Sequence, residues 1–224
     1  MPNIKEFLFS VDYGLGKSIG FHENLETWIK AELDKSLVDD AGRKVAENQV
    51  DIRVLLSSKY GDLKQTYPRL ARQSLFLYIY GLVEYSLNEL CDIIQREMGL
   101  ALSHKDLKDK GLQRVSLYLK KVARKRLPGF LKEKNELGLL NFVRNQLIHN
   151  DGVLNSDRKN EFKDKLKNAP SFKGISLCDA TSRISLEQEF VEGTVIRFRK
   201  MFMELGEILD ARFKPFDAKT EGTS

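Results

Sequence analysis

Asn141, Arg144, Asn145 and His149 fall within one short stretch, NFVRNQLIHNDG at 141–152. Wound at about 100° per residue, that stretch divides into faces. Leu139, Leu140, Val143 and Leu147 make an apolar stripe. Asn141, Asn145 and His149 follow at i, i+4, i+8 on another face, with Arg144 beside them. Arginine is permanently charged and forks onto phosphate oxygens. Histidine gives and takes a proton near neutral pH. The pair suits phosphodiester chemistry on RNA, where the 2′-hydroxyl is an internal nucleophile. His149 would move the proton, Arg144 would hold the phosphate and offset its growing charge, and Asn145 would orient the ring or the phosphate. The scheme calls for no metal and no cofactor. On spacing alone, an Arg and a His this close are also a common accident of a solvent-facing helix edge.

These side chains need a helix to hold them. A helix is expected over 131–150, with Gly152 as its left-handed stop. Upstream, residues 69–98 are the most hydrophobic part of the chain, apolar almost all round, with Pro68 marking the start and Gly99 the end. Glu84 and Asn88 sit within it. A carboxylate there either rolls towards solvent or faces Arg144 or His149 and positions it.

Ser103 is placed to cap a short turn. A helix is expected over 112–127, closed by Pro128 and Gly129. One side of it carries Lys120, Lys121, Arg124, Lys125 and Arg126 with no acid among them. Such a run is a solvated face or a track for an RNA backbone. A short helix near 157–167 follows. Period-two alternation at 174–178 and 183–186 then reads as a small β-hairpin. The last helix is expected over 187–212, with a capping-box spacing at Ser185 and Gln188 and an apolar face running from Phe190 to Leu209.

Arg144-Asn145-x-x-x-His149 resembles the R-x(4–6)-H signature of the HEPN superfamily, in which a polar residue after the Arg is typical. The order of elements over residues 70–212 is similar too: a long apolar helix, the motif near the end of a later helix, a hairpin and a final amphipathic helix. The resemblance implies a mainly α fold, a HEPN-like helical bundle with a small β-hairpin before the last helix. It implies a metal-independent endoribonuclease acting on RNA as a homodimer whose two motifs share one cleft. Such proteins serve as toxins or in antiviral defence, with a cognate inhibitor or sensor protein as partner, and some are inactive RNA binders. Members paired with a nucleotidyltransferase antitoxin carry Tyr two residues after the His. Asp151 stands there, so that mode of regulation is not expected. Arg144, His149 and Asn145 take the catalytic places; Asn141 and Glu84 support them.

The N-terminal residues 1–69 read as a helical extension over the core, or an arm around a partner subunit, and 213–224 as a tail. Within the extension, residues 4–11 look strand-like and 13–18 like a glycine-rich turn. The Gly-Lys-Ser at 16–18 lacks the first glycine of a phosphate loop, because Val11 stands there. Helical spacing then covers 23–36 and about 39–58.

The chain has 224 residues, 42% hydrophobic, with a net charge of +5. That supports a real core and permits nucleic acid as a partner. Cys91 and Cys178 make no disulfide framework, and with three scattered histidines they make no zinc site. No signal segment and no apolar run long enough for a bilayer is seen, so a cytoplasmic setting without membrane is expected. The alternative reading is a non-catalytic HEPN-like helical module that binds RNA or a partner protein.

Overall fold

A computed structural model describes residues 4–42, 61–125 and 127–213. The described part is mainly helical, with one two-stranded antiparallel hairpin before the last helix. Helix α1 spans Ile4–Gly42 and helix α2 spans Tyr67–Glu97. They run antiparallel: Arg72 pairs with Glu26 through two hydrogen bonds of 2.6 and 3.0 Å, and Gly14 faces Leu82.

The expected strand at 4–11 and the turn at 13–18 do not occur. Helix α1 passes straight through Gly14, Gly16 and Gly20. Each glycine costs a helix about 1 kcal/mol relative to alanine. Burial outweighs that cost, because Leu8, Val11 and Leu15 recur at helical spacing and sink into the core. The backbone N–H groups of residues 14–18 lie within the helix, and the Ser18 hydroxyl donates to the Gly14 carbonyl at 2.9 Å. No loop remains to cradle a phosphate. The helix expected at 23–36 is part of α1; that expected at 39–58 lies largely outside the described residues.

Helix α2 is the axis of the bundle. Phe76, Ile79, Val83, Leu87, Leu90 and Ile94 are fully buried along it. Pro68 sits in its first turn, where a missing N–H costs nothing, and Gly99 follows its end at φ 60°. Ser103 caps the short turn His104–Asp106 with a complete capping box. Helix α3 covers Gly111–Leu117 and continues only through a wider π turn, Tyr118–Val122. The expected helix to residue 127 therefore ends early, and Arg124 takes a left-handed φ of 50°.

A single turn, α4 at Gly129–Lys132, precedes helix α5, Lys134–Asn150. The chain breaks at Glu133, so α5 starts three residues later than expected. Helix α6, Ser156–Lys167, is capped by Asn155, whose side chain accepts from the Arg158 N–H. Strands β1, Ile175–Cys178, and β2, Arg183–Leu186, pair with Ile175 opposite Leu186. Helix α7, Gln188–Phe213, closes the bundle, burying Phe190, Val191, Val195, Phe198, Phe202, Leu205 and Leu209.

The capping box expected at Ser185 does not form. Ser185 pairs opposite Ser176 in the hairpin, and its hydroxyl meets Glu187 at 3.2 Å. Gly174 turns the chain into this hairpin at φ 68°, where a Cβ would sit 2.8 Å from the Phe190 nitrogen. Among the described residues no helix is long and apolar enough to cross a membrane.

Candidate active site

The end of α5 carries the candidate chemistry, and local rules explain its shape. Leu139, Leu140, Val143 and Leu147 are buried as their spacing predicts and hold the helix against the core. The stop is in the expected place but is shared. Asp151 turns left-handed first, at φ 50°, and Gly152 follows at φ 76°. The Gly152 N–H donates to the Gln146 carbonyl at 3.0 Å, closing the helix end. Asn150 donates to the Gln146 side chain at 2.9 Å. The Asp151 carboxylate is held by Arg183 and, at 3.4 Å, by Arg69. The hairpin is stitched to the same corner, since Ile184 N–H donates to the Gly152 carbonyl at 2.9 Å and Leu154 N–H to the Ser182 carbonyl at 2.8 Å.

On the outward face, Asn141, Arg144, Asn145 and His149 all line one open cleft of about 660 Å³. Arg144 Nη1 donates to Asn145 Oδ1 at 2.9 Å, and Asn145 Nδ2 donates to Asn141 Oδ1 at 3.5 Å. Asn145 thus orients the guanidinium, with Asn141 behind it, and the rest of the fork is left for a ligand. His149 is exposed. The other two histidines are each 1% exposed: His22 lies 3.3 Å from a Glu26 oxygen and His104 3.1 Å from an Asp92 oxygen. Burial holds both of those imidazoles below the usual histidine range. Of the three, only His149 is open to a substrate.

The opposite wall comes from α6. Arg158, Glu161 and Lys165 line the cleft at i, i+3 and i+7, with Glu161 paired to both cations. Phe162 fixes that wall: it is fully buried and stacks on Phe142 of α5 with ring centroids 6.0 Å apart. Lys110, just before α3, and Gln113 complete the rim. The sequence placed the charged stretch with Arg158 and Lys163 to Lys167 beside the supposed cleft, where Arg158 and Lys165 indeed line it; Lys110 was missed, and no spacing in the sequence singles it out.

Glu84 is half-buried on α2, does not line the cleft, and makes no hydrogen bond or ion pair with Arg144 or His149. It sits behind the cleft beside Tyr80, since a Cβ on Gly111 would lie 3.4 Å from Glu84 Oε1 and 3.5 Å from the Tyr80 hydroxyl. Burial first, and then the Glu84 charge, push the Tyr80 phenol up, while Arg144 pulls it down. Asn88 accepts from Arg114 at 3.4 Å.

The four described cations of the basic run do not share a helix face. Lys120 and Lys121 are exposed on the π turn, Arg124 is exposed on the left-handed residue, Lys125 is buried, and Arg126 lies outside the described residues. Lys120 and Lys121 line a second cleft of about 410 Å³ with Lys132 and Lys134. Among the described residues, no group of three or more His, Cys, Asp and Glu is placed to hold a metal ion. Cys91 is buried, and burial pushes its thiol up to about 12.

A third concavity, about 800 Å³, lies between α1 and α2 and is lined by Tyr13, Phe21, Trp28, Tyr67, Leu70 and Tyr78 among others. No family model matches the chain, and no curated protein or solved structure matches it.

Proposed function

We propose that this chain is a metal-independent endoribonuclease of HEPN type, and that the cleft at the end of α5 is its active site. The reading rests on one observation: the only exposed histidine and an arginine already oriented by an amide open into the same cationic cleft. In the reaction the ribose 2′-oxygen attacks phosphorus, the bond to the 5′-oxygen breaks, and the products carry a 2′,3′-cyclic phosphate and a 5′-hydroxyl. The 2′-hydroxyl loses a proton and the leaving 5′-oxygen gains one; His149 serves one of these transfers. Arg144 offsets the charge that builds on the phosphoryl oxygens. Asn145 keeps the guanidinium aimed.

One histidine per chain accounts for one of the two proton transfers. A homodimer that brings two copies of the cleft together would supply the second. The biological setting consistent with this reading is a toxin or antiviral-defence effector.

The test is RNA cleavage by the parent, Arg144→Ala and His149→Ala, with EDTA present. Each substitution should lower the rate at least about 100-fold, the usual scale for a general acid–base group, with Tm nearly unchanged because both side chains reach the surface. Variants that cleave like the parent would overturn the reading. A non-catalytic RNA-binding or protein-binding module would show no cleavage even by the parent. Mixing the two variants should restore part of the activity if the shared-cleft dimer is correct.

A further inference from the structure

The second cleft is assembled from three separate pieces of chain. Lys120 and Lys121 come from the π turn after α3, Lys132 from α4, and Lys134 from the first turn of α5. A run of lysines in sequence is usually a solvated face. These four are not one run, yet they converge on one concavity. All four are exposed, and no ion pair engages any of them among the described residues. The acid that lines the cleft is Asp109.

Lys132 and Lys134 also flank the amino end of α5, where the helix dipole disfavours cations. The dipole of α5 therefore does not account for Lys134, whereas Lys132 closes the turn α4. The floor is apolar, with Leu117, Leu127, Leu131 and Leu137.

This cleft adjoins the candidate active site, because Gln113 lines both. From Gln113 to Lys120 is two helical turns, about 10 Å at the helical rise. That is about three nucleotides at the stacked spacing of about 3.4 Å. Taken together the two clefts present eight Lys and Arg side chains and two acids. The whole chain is far closer to balance, with 37 basic and 32 acidic residues. A positively charged groove tracks the backbone of a single strand, and the leucine floor offers the bases apolar contact, with no aromatic ring to stack on.

We infer that the lysine cleft is the continuation of the strand path: it binds the backbone phosphates and bases of a single-stranded RNA a few nucleotides away from the scissile bond. The inference rests on RNA being the ligand of the neighbouring cleft, but not on cleavage there. Its contribution is length-dependent affinity without sequence choice.

The experiment measures binding of fluorescein-labelled oligouridines of about 4 and about 12 nucleotides, lengths that bracket typical single-strand sites. The full chain carrying His149→Ala is used so that nothing is cut. The longer oligomer should bind about tenfold or more tightly than the shorter. In the same background, Lys120→Gln, Lys121→Gln, Lys132→Gln and Lys134→Gln together should remove that gain. The salt dependence for the longer oligomer should flatten by about 2 to 3, since each phosphate contact on a single strand contributes about 0.7 to the slope. Replacing the same four by arginine should keep the gain, which separates charge from misfolding.

Neutralising Lys17, Lys30, Lys173 and Lys200 instead should leave the gain in place, because none of them lines either cleft. An equal loss in that control, an undiminished gain in the first variant, or no RNA binding by either length would overturn the inference. Equal displacement of the RNA by an oligoglutamate of the same charge would also overturn it, marking a general anion groove. If the length gain is present but the parent never cuts RNA, the strand path stands and the nuclease reading falls.

Discussion

The cleft at the end of α5 and the groove between α1 and α2 are of similar size, about 660 and 800 Å³, and of opposite chemistry. The first is walled by Arg144, His149, Arg158 and Lys165, with amides beneath them. The second is walled by aromatic rings, and its one charged side chain, Lys17, lies 5.2 Å from the centre of the Tyr13 ring. The groove has surface to bury and is lined by no histidine and no carboxylate. The cleft is the reverse: its polar side chains are only partly satisfied by one another. Volume alone would favour the groove. The chemistry of the walls points to the cleft, because catalysis needs charge and a proton carrier held in fixed positions.

Phe162→Ala should have the largest effect on stability. It removes the fully buried ring that stacks on Phe142 and should cost about 3–5 kcal/mol in urea unfolding. It should also lower cleavage at temperatures where the fold survives, because α6 no longer fixes Arg158 and Lys165. The matching change in the groove, Tyr78→Ala, removes a ring that is 58% exposed and should stay within about 0.5 kcal/mol. Equal losses from the two would mean that the groove is as structural as the cleft wall.

A smaller effect is expected from pH. Burial depresses His22 and His104 in the fold, whereas an unfolded chain titrates near about 6.5. The unfolded state then binds more protons as pH falls, so stability is full above about 6.5 and declines below it. Replacing both by Asn should flatten the fall of the urea midpoint between about pH 7 and 5.5. An unchanged slope would assign the acid sensitivity to other groups.

The smallest effect is the absence of one. Trp28, the single tryptophan, is 52% exposed in the groove. Its emission should be readily quenched by acrylamide and should not change when RNA fills the cleft. Protection by RNA would show that the strand reaches the groove and that the two regions act together.

Where burial follows helical spacing, the sequence was legible. The apolar face of α7 is buried residue for residue, and the stripe that anchors α5 left its polar edge where the periodicity put it. The hairpin was legible because alternation and a turn agree. The amino end of α1 was misread because glycines and a short apolar run mimic a strand and a turn. Only the long-range burial of Leu8, Val11 and Leu15 decides for a helix, and that is a tertiary fact. The helix under the basic run was read to residue 127, whereas a π turn followed by a left-handed Arg124 ends it early, and no spacing rule announces it. Half of the lysine cleft lies in residues that were not grouped at all. For Glu84 the sequence left two directions open, towards solvent or towards Arg144 and His149; it lies half-buried one turn after Tyr80, where Gly111 packs against both.

In the proposed reaction the 2′-oxygen of the substrate is the nucleophile and His149 moves a proton for it. It is tested most directly with an RNA cut at one known bond, compared with the same RNA carrying a single 2′-deoxy sugar there. The parent should convert the first to 2′,3′-cyclic phosphate and 5′-hydroxyl ends and leave the second intact, and His149→Ala should leave both intact. Cleavage of the deoxy-substituted strand at the same bond, or undiminished cleavage by His149→Ala, would contradict the account.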